Sequence, residues 1–177
     1  REPFRVCLGH ASVRDEQGRE MHKSWGNAID FDEGADRMGV DVMRWMYATQ
    51  NPAANINFGY GPADEVRRRF LIPLWNVYSF FVTYANLEQD DVASMVRAEP
   101  ALGLLDRWIL SRLHATVGLI RRRLDDYDPA GAARPVEAFV DDLSNWYVRR
   151  SRRRFWKTEV DTDKHAAYFT LYQVLVT

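Results

Sequence analysis

The sequence predicts a mainly α-helical chain whose larger part is an antiparallel helical bundle. Two observations carry this. From residue 62 onward apolar side chains recur at intervals of three and four, and the joints between these runs are short, polar and rich in helix-start residues. A third observation limits the bundle: residues 1–61 hold only brief periodic stretches, interrupted by Gly, Asn and Pro.

Taken in order, Phe4-Arg5-Val6-Cys7-Leu8 reads as a strand, and Asp15-Glu16-Gln17-Gly18-Arg19 as a turn. The loop Glu20–Asn27 comes next, and then two short helices, Asp32–Met38 and Asp41–Thr49, punctuated by Gly39. Asn51–Gly61, with alternating Ile56 and Phe58, reads as an extended connector or edge strand. Pro62 suits a first helical turn, and Asp64 and Glu65 complement its dipole. The pattern Val66, Phe70, Leu74, Val77, Tyr78, Phe81, Ala85 then carries a helix to about Asn86. Pro73 lies inside it, removes one backbone donor and is expected to bend the helix rather than end it. A second long helix carries Leu105 to Leu124, a third starts after Asp128-Pro129, and a last one starts near Asp161–Asp163. Phe70, Leu74, Phe81, Leu113, Val117, Val140, Leu143 and Tyr147 form the expected core.

At 177 residues, 46% hydrophobic and 28% charged, the chain can bury a globular core. No apolar run approaches the roughly 18 residues that span a bilayer. The single cysteine, Cys7, forms no internal disulfide and fits a reducing compartment; it reads as a small core residue. The net charge of −1 conceals an arginine bias, 21 of 24 basic residues, much of it in the runs 67–69, 121–123 and 149–154. The first two runs read as solvated faces. Arg1 is not an initiator methionine and Leu171–Thr177 stops in mid-helix, so a piece of a larger protein is expected.

The loop Glu20-Met21-His22-Lys23-Ser24-Trp25-Gly26-Asn27 can set an ammonium against a phosphate chain and then turn sharply. It resembles the second signature loop of class I aminoacyl-tRNA synthetases, Lys-Met-Ser-Lys-Ser followed by Leu-Gly-Asn. Met21, Lys23, Ser24, Gly26 and Asn27 match, while Glu20, His22 and Trp25 depart from it. Leu105–Arg112, Asp141–Trp156 and Pro73–Phe81 resemble the anticodon-binding bundle of the isoleucine-specific branch, which shares an Asp/Asn-Trp-Tyr core with the valine and leucine branches.

The resemblance implies the C-terminal edge of a Rossmann-type catalytic domain over residues 1–61, then an anticodon-binding bundle over 62–177, truncated at its end. It implies a ligase that activates isoleucine with ATP and charges tRNA. The catalytic assignments are Lys23 and Ser24, with Lys23 and His10 as ATP-binding residues; His10 alternatively just ends a strand. ATP is the expected substrate, with Mg2+ in the intact enzyme and no metal held by this chain. A monomer in the cytoplasm, partnered by tRNA, ATP and isoleucine and by no membrane, is expected. The His-Ile-Gly-His-like first signature is missing, so the chain should not catalyse alone. A non-catalytic tRNA- or protein-binding paralogue, or a valine- or leucine-specific relative, is the alternative, and Glu20 and His22 are what favour the paralogue.

At about 100° per residue, Val136, Val140, Leu143 and Tyr147 share one helix face, continued by Arg150 and Arg154. Those two arginines are expected to be structural, held by carboxylates or stacked on aromatics. Arg149, Arg152 and Arg153 point away and are the expected tRNA-phosphate contacts. Trp146 and Trp156 are expected in the core.

Overall fold

A computed structural model describes residues 3–88, 92–157, 159 and 161–177. Two short strands, β1 (Val13–Arg14) and β2 (Ile56–Asn57), pair in parallel, with Val13 opposite Ile56. Between them lie a one-turn 3-10 helix at Lys23–Trp25 and the helices α1 (Phe31–Met38) and α2 (Val40–Ala48). Asp30 caps α1 by accepting from the Asp32 amide, and Gly39, at φ 92°, makes the break before α2 that the sequence foreshadows. Met38, Val42, Met43, Met46, Ile56, Phe58 and Ala63 bury one another in a small first core.

Phe4–Leu8 does not form the expected strand. It pairs with neither β1 nor β2, and Phe4, Val6 and Leu8 stay exposed. Cys7 is exposed as well, not a core residue.

From Tyr60 the chain is helical. α3 (Tyr60–Val66), a π-helical segment at Arg67–Leu71 and α4 (Ile72–Leu87) form one continuous path. Pro73 therefore lies inside the path, not at its end. The wide turn before it, where the Ile72 amide donates to the Arg67 carbonyl, redistributes backbone bonds around the missing proline donor. α5 (Val92–Arg97) is a helix that the periodicity does not announce. α6 (Leu104–Asp125) and α7 (Pro129–Asp141) come next, joined by three residues in which Tyr127 adopts φ 58°, so they run antiparallel. Asp128 caps α7 by accepting from the Gly131 amide. A second π-helical segment at Asp142–Val148 leads directly into α8 (Arg149–Trp156), and α9 (Thr162–Val176) starts on an Asp161 cap. No strand occurs after residue 62 among the described residues.

The main core gathers Val77, Met95, Ile109, Leu113, Phe139, Leu143, Tyr147, Val148, Phe155, Tyr168 and Leu171. Of the expected core residues, Phe70, Leu113, Val140, Leu143 and Tyr147 are buried, while Leu74, Phe81 and Val117 are half-buried. The first core meets the bundle through Trp45. Its ring stacks on Phe70 at 4.0 Å, and its indole N–H donates to Glu137 Oε1 at 2.9 Å.

Candidate functional site

The signature loop hangs on Asp15. This buried carboxylate accepts from the backbone amides of Gln17 (3.1 Å) and Arg19 (2.8 Å), from Arg19 Nε (2.8 Å) and from Asn27 Nδ2 (2.9 Å). Burial pushes its carboxyl upward, but the bonds from Asn27 and Arg19 outweigh this and hold it at about 2. Asn27 does more than cap the next segment. Its amide nitrogen also donates to the Glu20 carbonyl at 2.8 Å, and its Oδ1 accepts from the His22 amide at 3.0 Å, closing the ends of the loop on each other. Gly26 turns the chain at φ 69°, where a side chain would be strained, and its amide donates to the Lys23 carbonyl.

Within that clasp Lys23, Ser24 and Trp25 form the 3-10 turn and are exposed. The Lys23 ammonium has no carboxylate partner among the described residues, so its charge is available to an incoming anion. The three departures from the family pattern meet one another instead: His22 Nε2 lies 3.5 Å from Glu20 Oε2, and the His22 ring packs edge-on to Trp25 at 4.3 Å. Met21 is half-buried. His10 is exposed, with Nδ1 3.1 Å from the Ala11 carbonyl, and lines a cavity of about 260 Å3 with Tyr47, Asn51, Pro52 and Ile56. No contact among the described residues joins His10 to the signature loop.

The arginine run divides as expected only in part. Arg154 is a core arginine, 15% exposed, donating to both oxygens of the fully buried Asp106 at 2.7 and 2.8 Å. Its Nε also lies 2.9 Å from Asp163 Oδ1. The Tyr147 hydroxyl donates to the same Asp106 at 2.8 Å, and Asp106 accepts from the Gly103 amide, boxing the start of α6. Burial, reinforced by the Asp106 charge, drives the Tyr147 phenol far above its ordinary value, so it stays a donor. Burial works against the charge of Arg154, but Asp106 more than compensates.

Arg150, by contrast, is exposed and lies 3.9 Å over the ring of Trp146, which is itself 47% exposed. Trp156 is 54% exposed, so neither tryptophan is in the core. The physical reason is the π-helical segment at Asp142–Val148. Its wider turn shifts the angular phase of every later residue, so Val148, Ser151 and Phe155 point inward where an unbroken helix would place Arg150. Arg149, Arg152 and Arg153 are exposed and make no ion pair among the described residues. Arg67 departs from the solvated-face reading of its run, since it donates to the carbonyls of Met38 (2.6 Å) and Arg37 (3.2 Å), capping α1, while Arg68 and Arg69 are exposed as expected. Asp15, which organises the loop, looks like a plain turn residue in the sequence. An Asp two residues ahead of a Gln amide and four ahead of an Arg is the signal that marks Asp15.

Family models match both ends of the chain: tRNA synthetases class I (I, L, M and V) over residues 1–59, and the anticodon-binding domain of tRNA ligase over residues 106–177. The second match begins at Asp106, the hub of the bundle. An isoleucine–tRNA ligase of Dehalococcoides mccartyi strain 195 is 50% identical over 173 residues, covering 97% of this chain. Isoleucine–tRNA ligase 2 of Bacillus cereus ATCC 14579 is 44% identical over 99% of the chain, and the Thermus thermophilus isoleucine–tRNA ligase is 43% identical over 98%. The chain spans 17% of the length of each of these relatives. The crystal structure of the ternary complex of Agrobacterium radiobacter K84 agnB2 LeuRS-tRNA-LeuAMS has the same fold, with a TM-score of 0.64 at 15% identity, covering 94% of this chain and 20% of that one. With a synthetase model on one flank, an anticodon-binding model on the other and isoleucine–tRNA ligases aligned along nearly its whole length, the chain belongs to the class I tRNA synthetases, in the isoleucine–tRNA ligase branch.

Proposed function

We propose that the intact protein activates isoleucine with ATP and transfers it to tRNA, and that this chain supplies the C-terminal end of the catalytic domain with its signature loop (residues 1–61) and the tRNA-binding bundle (62–177) without catalysing alone. The observation that carries the reading is the Lys23 ammonium, without a carboxylate partner among the described residues and held exposed on a loop whose two ends are closed by Asn27. Adenylate formation drives negative charge onto departing pyrophosphate, and a cation whose contact tightens as that charge develops lowers the barrier. Lys23 takes that role, Ser24 offers a hydroxyl to the phosphates, and His10 lines the nucleotide side of the site. Glu20 cannot attract phosphate; paired with His22, it leaves the cationic work to Lys23 alone.

Arg149, Arg152 and Arg153 contact tRNA phosphates from the outer face of α8. ATP is the substrate of the intact protein and Mg2+ its companion there, an ion that keeps several waters and binds through substrate phosphates and one or two carboxylates; among the described residues no three His, Cys, Asp or Glu side chains converge. No helix among the described residues is long and apolar enough to cross a membrane. We place the intact protein in the cytoplasm as a monomer; the single cysteine of this chain, Cys7, is exposed and fits a reducing compartment.

The deciding experiment is amino acid-dependent pyrophosphate exchange by the intact protein. Isoleucine should support exchange well beyond valine or leucine. No exchange with any of the three would leave a non-catalytic tRNA-binding protein.

A further inference from the structure

β1 and β2 pair in parallel, Val13 opposite Ile56 and Arg14 opposite Asn57, so the segments leaving their C-terminal ends emerge side by side. The turn Asp15–Arg19 leaves β1, and Gly59, where the helical path into the bundle starts, lies just beyond β2. Glu16 closes the gap: its Oε1 accepts from the Gly61 amide at 2.7 Å.

Gly59 shows how tight this seat is. Its backbone is extended, at φ 169°, a conformation open to any residue. A Cβ at that position would nevertheless collide with Glu16 Cγ, Cδ and Oε1. Glycine thus leaves room for the carboxylate lying across it, and a larger residue would displace the Glu16 side chain although the backbone would accept it. Adjacent residues face opposite ways. Asp15 grips Asn27 and Arg19 on the loop side, while Glu16 grips Gly61 on the helix side. From Tyr60 the helical path runs unbroken to Leu87, burying Val77 in the bundle core.

The geometry points to Glu16 as a positioning residue that fixes the signature loop to the helix entering the arginine-bearing bundle, with Gly59 as the seat that admits its carboxylate. Glu16 touches no substrate; it sets where the clasp around Lys23 is held. The inference rests on the ligase reading.

The test is made in the intact protein with Glu16→Ala, Glu16→Gln, Gly59→Ala and the Glu16→Ala/Gly59→Ala double variant. Two quantities are read: pyrophosphate-exchange kinetics, and hydrogen exchange of the backbone amides at 20–27. Glu16→Ala and Gly59→Ala should each lower kcat about tenfold, with KM for isoleucine unchanged, because a displaced loop misplaces Lys23. Each should also speed amide exchange in the loop. The double variant should be no worse than either single one, since both remove the same contact. Glu16→Gln keeps an acceptor for Gly61 and should stay within about threefold of the parent. Unchanged kcat and unchanged loop exchange in Glu16→Ala, or multiplicative losses in the double variant, would overturn the inference. If the parent protein shows no exchange activity, the ligase reading fails by itself, and faster loop exchange in both single variants still establishes the mechanical link.

Discussion

Asp15 and Asp106 are the two buried carboxylates among the described residues, and they organise opposite kinds of structure. All partners of Asp15 lie within 12 positions of it, and they stitch one turn and one exposed loop. Asp106 joins Tyr147, 41 positions away, and Arg154, 48 away, so that α6, the segment before α8 and α8 itself share one charge. A local hub holds a shape without burying what it displays: Lys23 stays free on the surface. A long-range hub fixes helices against each other and presents their outer arginines on a rigid platform. One carboxylate shapes an exposed loop, and the other serves architecture.

The sharpest break would come at Asp106. Asp106→Ala leaves the Arg154 guanidinium and the Tyr147 hydroxyl buried without their partner and should destabilise the bundle by about 3–5 kcal/mol, seen as a lower unfolding midpoint. A shift comparable to that of a surface substitution would mean that the hub is dispensable. At the loop the expected effect is functional instead. Lys23→Ala should slow adenylate formation by about a hundredfold, roughly 2.7 kcal/mol, at unchanged isoleucine KM and unchanged stability. Glu20→Ala should do little, and the reverse ranking would refute the assignment of the loop.

Arg149, Arg152 and Arg153 sharpen the comparison from the platform side. Replacing all three should weaken tRNA binding and flatten the log affinity–log salt plot by about two units, since each phosphate contact contributes about 0.7–0.9. Equal slopes at matched stability would reduce the run to a solvated face. A pH titration probes the local hub. The Asp15 carboxyl is held below its ordinary 3.8, so its grip on the loop is fully present above that value and is lost as pH falls through about 2. Amide exchange at 20–27 should rise across that window. The smallest effect is expected at Arg150→Ala, which removes an exposed cation–π contact with Trp146 and should cost no more than about 1 kcal/mol.

Helix positions and starts are readable because their signals are local: Asp30, Asp128 and Asp161 each accept from an amide two or three residues on. The signature lysine is readable too, since a five-residue pattern carries it. Asp106, Tyr147 and Arg154 stand inside the motifs that resemble the anticodon-binding bundle, yet nothing in their spacing says that they meet.

By itself, then, the sequence determined where the long helices lie, which loop carries Lys23, and that Arg154 is structural while Arg149, Arg152 and Arg153 face outward. Tertiary structure alone decided the rest. The π-helical segment at Asp142–Val148 moved Arg150 from the expected inner face to the surface, because one wide turn rotates every later residue against a wheel counted at constant pitch. Strand pairing joined Val13–Arg14 to Ile56–Asn57 and left the more strand-like Phe4–Leu8 unpaired among the described residues, because a strand is defined by a partner that its own residue pattern does not name. Periodicity reports only how one segment sits against an averaged core; partners some 40 residues apart, such as Asp106 and Tyr147, are found only when the chain is folded.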